Sequence, residues 1–291
     1  MFPWSKPPPP PPPPESLLEF TLGAIPWHIV GVIVGTHFAL TAFFFLFVGW
    51  RRNTAAVMGG ADSDNKKADA KTKRGSLLAT VLAYNVLAVA YATFSSYTGT
   101  TAWFDGSAAA LSGSLHDRLY GYSEAYALMG AVTIAYELYN TIAALCIHEY
   151  CNAAFVGHHA TCFVLGIMSL HPYCHYYAIF FFGLTSISSV PLAIVELFNC
   201  AGMPAVQEVF RVLFCVLFLI YRTVYWPIVS YGFWLDEIAA LQGVVPVHSL
   251  PAHLFLLVAN VGLTALQFFW TSLIFSGIAE KFRPAESPKA E

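Results

Sequence analysis

The sequence predicts an all-α polytopic membrane protein of about seven transmembrane helices, and three observations carry that prediction. Hydrophobic residues occupy 57% of the 291 positions and charged residues 11%, against about 25% charged residues in a typical soluble domain. Seven apolar stretches lie near 27–50, 76–98, 120–147, 154–171, 174–198, 206–230 and 251–277, the fourth being the shortest. At about 1.5 Å per residue each is long enough to cross about 30 Å of hydrocarbon. Most of them carry polar residues at three- and four-residue intervals, which a helix gathers on one face. A polar group turned to lipid costs roughly several kcal/mol, so these faces are expected to meet around a polar, lipid-accessible interior.

In chain order, residues 1–26 form a proline-rich tail. Its unbroken run Pro7–Pro14 removes eight backbone donors and favours an extended polyproline II rod of about 25 Å. The run is a tether or a ligand for a module that reads proline-rich peptides, which makes the tail a candidate site for a protein partner. No basic segment followed by an apolar core and a small-residue cleavage site precedes the first span, so 27–50, an additional N-terminal transmembrane helix, is expected to act as its own insertion signal. The loop 51–74 holds seven of the 14 basic residues: Arg51, Arg52, Lys66, Lys67, Lys71, Lys73 and Arg74. Lys281, Arg283 and Lys289 belong to the tail 281–291. An odd number of spans puts the loop and the C-terminus on one side. Ten basic residues then share one face, which the positive-inside rule makes cytosolic, with the N-terminus non-cytosolic. Lys6 and Arg118 fall on the other side, and Arg211 and Arg222 lie within the sixth span.

The third span presents Tyr126, Thr133, Glu137, Asn140, Thr141 and His148 along one face. The fifth presents Thr185, Ser189 and Glu196, the sixth Arg211, Cys215, Arg222 and Tyr225, and the seventh His253, Asn260, Thr264, Gln267 and Thr271. Ionisable residues inside spans are expensive and are functional candidates by default, which singles out Glu137, His158, His159, Glu196, Arg211 and Arg222. His148 and Glu149 close the third span, His158 and His159 lie about a turn into the fourth, Glu196 ends the fifth and Arg211 begins the sixth. These six side chains from four helices are expected to converge on the cytosolic half of the bundle. A histidine there can exchange a proton or attack an acyl carbonyl, and an arginine can hold a carboxylate or phosphate. Plainer roles stand beside these. Adjacent histidines point about 100° apart, which leaves one to bond a neighbouring helix. Glu137 can be a hydrogen-bonding acid without catalysing anything, and Arg211 can reach for the interface.

Other features point away from chemistry. The 14 basic residues neither cluster on a long helix nor interleave with aromatics, which excludes a nucleic-acid surface. The six cysteines lack a CxxC pair or zinc spacing and read as small buried residues. His171 and His175 are spaced to share a metal, but Pro172 interrupts the helix between them and no third ligand follows, so no metal is expected. Ser186, Ser188 and Ser189, before Pro191, read as a bend whose hydroxyls satisfy freed carbonyls, and they lack the glycine-flanked elbow of a serine nucleophile. Trp103, Phe104, Trp226, Tyr231 and Trp234 read as an interfacial aromatic belt on the non-cytosolic side.

Three motifs follow one another between Tyr136 and Pro191: YELYN (136–140), GHHA (157–160) and GLTSISSVPL (183–192), with Arg222 in the next span. In this order they resemble the TLC domain shared by TRAM, Lag1 ceramide synthases and CLN8-type proteins. The resemblance covers about 75–280 and leaves the first span and the tail as an N-terminal addition. It implies a TLC-type bundle of six helices around a lipid-accessible cavity, in the endoplasmic reticulum or another endomembrane. In the ceramide synthase branch the paired histidines, matching His158 and His159, are required for acyl transfer from acyl-CoA to a sphingoid amine. Three departures bear on that reaction. The aspartate common at the end of YELYN is Asn140, the acidic residue common before SS-x-P is Ser186, and the acidic Lag1 motif is absent.

The expected function is therefore that of a TLC-domain protein that binds, senses or regulates membrane lipids in acyl-lipid or sphingolipid homeostasis. Glu137, Asn140, His148, Glu196, Arg211 and Arg222 would meet the lipid or its head group, with no cofactor. The alternative is an acyl-CoA-dependent N-acyltransferase, with His158 or His159 as base or acyl carrier and acyl-CoA as co-substrate. A structural subunit of a larger membrane complex is a further alternative, for which the runs Phe43 to Phe45 and Phe180 to Phe182 would supply outward apolar faces.

Overall fold

The computed structural model describes the backbone of residues 23–59, 65–148, 150–170 and 173–282, and the side chains of these outside 48–76. The proline run, the basic side chains of 51–74, Glu149, His171, Arg283 and Lys289 lie outside the described residues. Among the described residues seven long helices follow one another: α1 (Trp27–Gly59), α2 (Asn65–Phe104), α3 (Glu124–Cys146), α4 (Ala153–Leu170), α5 (His175–Ala201), α6 (Pro204–Leu241) and α7 (Leu250–Lys281). Short helices Ser107–Leu111 and Leu115–Tyr120 join α2 to α3, and there is no strand among the described residues. The chain is an all-α polytopic membrane protein.

Among the described residues six helices are long and apolar enough to cross a bilayer, counting Leu115–Cys146 as one; the apolar part of α4, Ala153–Met168, is shorter. Connectivity decides the course of α4. The N–H of Cys174 donates to the carbonyl of Leu119 at 2.7 Å, and that of Ser123 to His175 Nδ1 at 2.9 Å. The start of α5 therefore sits beside the start of α3, and α4 must carry the chain back along the length of α3. Ser123 caps α3 by accepting from the Tyr126 N–H, and Ser114 caps Leu115–Tyr120 by accepting from the Asp117 N–H.

Two expectations from hydropathy are corrected by helix length. The stretch 51–74 is taken largely by the ends of α1 and α2, which reach Gly59 and begin at Asn65. The sixth helix runs 38 residues to Leu241, past the end expected at 230. Trp226 consequently lies mid-helix and buried, with its Nε1–H donated to Thr264 Oγ1 at 2.9 Å, and it is not part of an interfacial belt. Tyr231 and Phe104 are exposed.

Close approach of backbones organises the centre of the bundle. Gly99 of α2 crosses Gly183 of α5 so tightly that a Cβ on Gly99 would lie 2.1 Å from Gly183 Cα, the small-residue contact by which membrane helices approach. At that crossing α5 departs from α-helical geometry, with a π turn at Ile179–Gly183 followed by a 3-10 turn at Leu184–Ser188. Hydroxyls take up the disturbed carbonyls. Thr185 donates to Phe181 O at 2.7 Å, Ser186 to Phe182 O at 2.8 Å and Ser188 to Thr185 O at 2.9 Å. Pro191, which has no N–H, falls in the first turn of the regular helix that resumes at Ser189. A second π turn, Leu219–Tyr225, lies in the middle of α6. Helix α1 packs on the outside of α2 and α3, with Tyr139 Oη 2.9 Å from His37 Nδ1.

Candidate functional site

A cavity of about 490 Å³ runs through the bundle, walled by side chains of α2 to α7, with none from α1 among its lining residues. It extends along the whole of α4, from Tyr150 and Phe155 before and at its start to Tyr173 and Cys174 after its end. Most of the wall is aromatic or aliphatic, and polar side chains meet the space in three places.

The first is beside the α3–α4 turn. His159 Nδ1 lies 2.6 Å from Glu137 Oε2, and both side chains are largely buried. Asn140 Nδ2 is 2.8 Å from His159 Nδ1 and 3.1 Å from Nε2, while Tyr84 donates its hydroxyl to Asn140 Oδ1. With Nδ1–H given to the carboxylate, Nε2 is the nitrogen left to accept from Asn140, so both ring nitrogens of His159 have partners. α-Helical spacing places Glu137 and Asn140 on one face of α3, and α4 brings His159 against that face.

The second adjoins it, between the first turns of α4 and the middle of α6. His158 also lines the cavity, edge-on to Trp270 with ring centroids 5.2 Å apart, and its ring nitrogens are 3.8 and 3.9 Å from Cys162 Sγ. Arg222, carried on the π turn of α6, donates Nε–H to Ser188 Oγ at 2.8 Å and Nη2–H to Ser189 Oγ at 2.9 Å. Its Nη1 is 3.4 Å from Gln267 Oε1, and the guanidinium lies over the Phe218 ring, 5.8 Å from its centre. π turns inside α-helices frequently mark functional positions, because they turn a side chain and a carbonyl out of register.

The third is the end beside the α4–α5 turn, where Cys174 and Tyr177 belong to the wall and a buried polar cluster that they touch lies behind it. Glu237 and His253 are both 0% exposed, with Oε2 and Nδ1 2.6 Å apart, and Tyr120 Oη is 2.7 Å from His253 Nε2. Next to them Arg118 holds Asp236 through two bonds, Nε to Oδ2 at 2.5 Å and Nη2 to Oδ1 at 2.8 Å, and Tyr177 donates its hydroxyl to Asp236. The Cys174 thiol, a wall residue, lies 3.7 Å from Glu237 Oε1.

The structure therefore brings Glu137, Asn140, His158, His159 and Arg222 onto one cavity wall. It does not bring the remaining candidates there. His148 is exposed in the turn after α3, and Glu196 is half-buried on α5 outside the cavity lining. Arg211 lies on the surface, paired with Glu208 at 2.9 Å; Glu208 in turn bonds Lys281. His175 is a buried link between elements, accepting at Nδ1 from Ser123 and donating at Nε2 to Ser169 O at 2.6 Å. Among the described residues no group of three or more potential ligands could hold a metal ion.

Sequence reasoning missed Asp236 and Glu237, which hydropathy places in a loop. The signal that finds Glu237 is periodicity: Trp226, Ser230, Phe233, Glu237 and Ala240 are all buried and recur at three- and four-residue steps, continuing the helix beyond the apolar run.

Comparison with known proteins agrees with this architecture. The family model of the TLC domain of TRAM, LAG1 and CLN8 matches residues 76–276, a span that includes every lining residue of the cavity. Neither a curated protein nor a solved structure matches the chain. A helical membrane bundle with this match over more than half its length belongs to the TLC-domain family.

Proposed function

We propose that this protein holds a membrane lipid within the bundle, and through that occupancy binds, senses or regulates membrane lipid. The cavity itself carries the reading. Its volume, about 490 Å³, is that of a ligand site, and its wall is mainly apolar with a few convergent polar groups. Leu192 of α5 and Leu273 of α7 belong to that wall and are 41% and 53% exposed, which supports an opening toward the acyl region of the bilayer. Native mass spectrometry of the purified protein tests this. A lipid adduct is expected on the wild type and a strongly reduced one on Ala193→Phe, which pushes a ring into the space from a lining position. A wild-type protein free of lipid would sink the proposal.

One observation favours acyl transfer as the second reading. His159 is fully engaged by Glu137 and Asn140, whereas His158 faces the cavity with a thiol as its nearest polar neighbour. His158 is then the group to accept a proton or an acyl unit, and Glu137 acts by positioning its neighbour. Incubation with a long-chain acyl-CoA and a panel of long-chain amines should yield an amide that His158→Ala abolishes. Absence of amide from all amines would remove this reading and leave the first intact.

A further inference from the structure

Arg222 differs from every other basic side chain described. Arg118 pairs with Asp236, and Arg211 and Lys281 pair with Glu208. Around Arg222 no carboxylate among the described residues stands within ion-pair distance; its partners are two serine hydroxyls and an amide oxygen. An arginine in the middle of a spanning helix is expensive, and hydroxyls and an amide orient it without cancelling its charge. A guanidinium has five N–H groups. Three are directed to Ser188, Ser189 and, at the long distance of 3.4 Å, Gln267. One N–H remains on each terminal nitrogen, the pair that matches the two oxygens of a carboxylate. Arg222, Ser188 and Ser189 all line the cavity, as does His158, whose Trp270 neighbour lies one helical turn from Gln267.

Size and charge narrow the occupant. At about 30 Å³ per water-sized unit, a volume close to that of a methylene, the cavity holds about sixteen such units. That is room for one acyl chain with its head group. Arg222 brings one fixed positive charge to the described wall, and Glu137, the one carboxylate among the lining residues, is engaged by His159, so the fork offers a single charge, which suits a monoanion better than a phosphate dianion. Toward the α4–α5 turn Leu165, Phe181, Phe233, Leu256 and Leu263 line the space, and the polar atoms of Tyr177 and Asn260 beside them are engaged by Asp236 and Trp234, which leaves a mainly apolar stretch that suits a hydrocarbon tail.

We infer that the cavity binds a long-chain fatty acid, with its carboxylate on the free end of the Arg222 fork and its tail along the Phe181 and Phe233 half. The inference rests on the lipid-holding reading and adds the lipid class and the recognising group.

Trp226 and Trp270 line the same space and act as reporters. The full chain in nanodiscs is titrated with dibromostearic acid and, separately, dibromostearyl alcohol, whose bromines quench tryptophan on contact. The wild type should bind the acid about tenfold or more tightly than the alcohol, the range of a charge-assisted hydrogen bond pair. Arg222→Gln should lose that preference while still binding the alcohol, and Arg222→Lys, which keeps charge without the planar fork, should retain part of it. Equal binding of acid and alcohol by the wild type overturns the inference. So does an acid preference that persists in Arg222→Gln or, if that variant does not fold, one that Arg222→Lys leaves undiminished. If saturable quenching by either ligand is absent from the wild type, the lipid-holding reading falls first.

Discussion

His159 and His158 are neighbours with opposite situations, and the difference is a matter of partners. His159 is tied at both ring nitrogens, so its surroundings resist change. Glu137→Ala leaves a buried imidazole N–H without an acceptor, and thermal unfolding in detergent should register a loss of about 1–3 kcal/mol. His158→Ala removes no such bond and should leave the unfolding midpoint near that of the wild type. The same logic ranks the acidic residues. Glu237, 0% exposed and shared by His253 and the Cys174 thiol, sits where removal of one partner strands the other. Glu237→Ala should therefore lower stability by about 3 kcal/mol or more. Arg211→Ala, on an exposed pair with Glu208, should leave the midpoint unchanged, because solvent screens both partners. A midpoint for Glu237→Ala no lower than for Arg211→Ala would contradict the burial argument.

At the scale of elements, the crossing of α2 and α5 sets the geometry of the cavity. Gly183 lies under Gly99, and the irregular turns that follow it rotate Ser188 and Ser189 toward Arg222. Gly99→Ala places a methyl against backbone that has nowhere to move, with an expected cost of about 1–3 kcal/mol. It should also weaken lipid retention, because the serines move with α5. Gly157→Ala, where no atom lies within 4 Å of the added Cβ, is the matched control and should be neutral or slightly stabilising in a helix. Melting curves and lipid retention of the two variants check this. Equal behaviour of the pair would show that the crossing is not the organising contact.

For the whole molecule, the basic stretch 51–74 and the C-terminal lysines should face the cytosol. Single cysteines at Lys66 and Lys281 in a cysteine-free background should be labelled by an impermeant thiol reagent once the plasma membrane alone is permeabilised, whereas one at Gly243 should require full permeabilisation. Helical class, membrane residence, the family and the inward polar face of α7 were all legible in the residue pattern, because hydropathy and the 3.6-residue repeat are local properties of a chain. His253, Asn260, Thr264, Gln267 and Thr271 are indeed all buried. Membership of the cavity wall was legible for Glu137, Asn140, His158, His159 and Arg222 and misleading for His148, Glu196 and Arg211, since depth along a span says nothing about which way a side chain faces. The extension of α6 past its apolar run was hidden from hydropathy, which stops at Asp236 and Glu237 although the helix continues on buried contacts. What the sequence determined by itself is the solvent of this protein and the faces of its helices. Which polar groups pair with one another follows only from how the helices meet: His159 with Glu137, Asp236 with Arg118, and Arg222 with no acid among the described residues. Pairing depends on how helices distant in sequence cross, and that is set by close contacts such as Gly99 on Gly183, which no local pattern encodes.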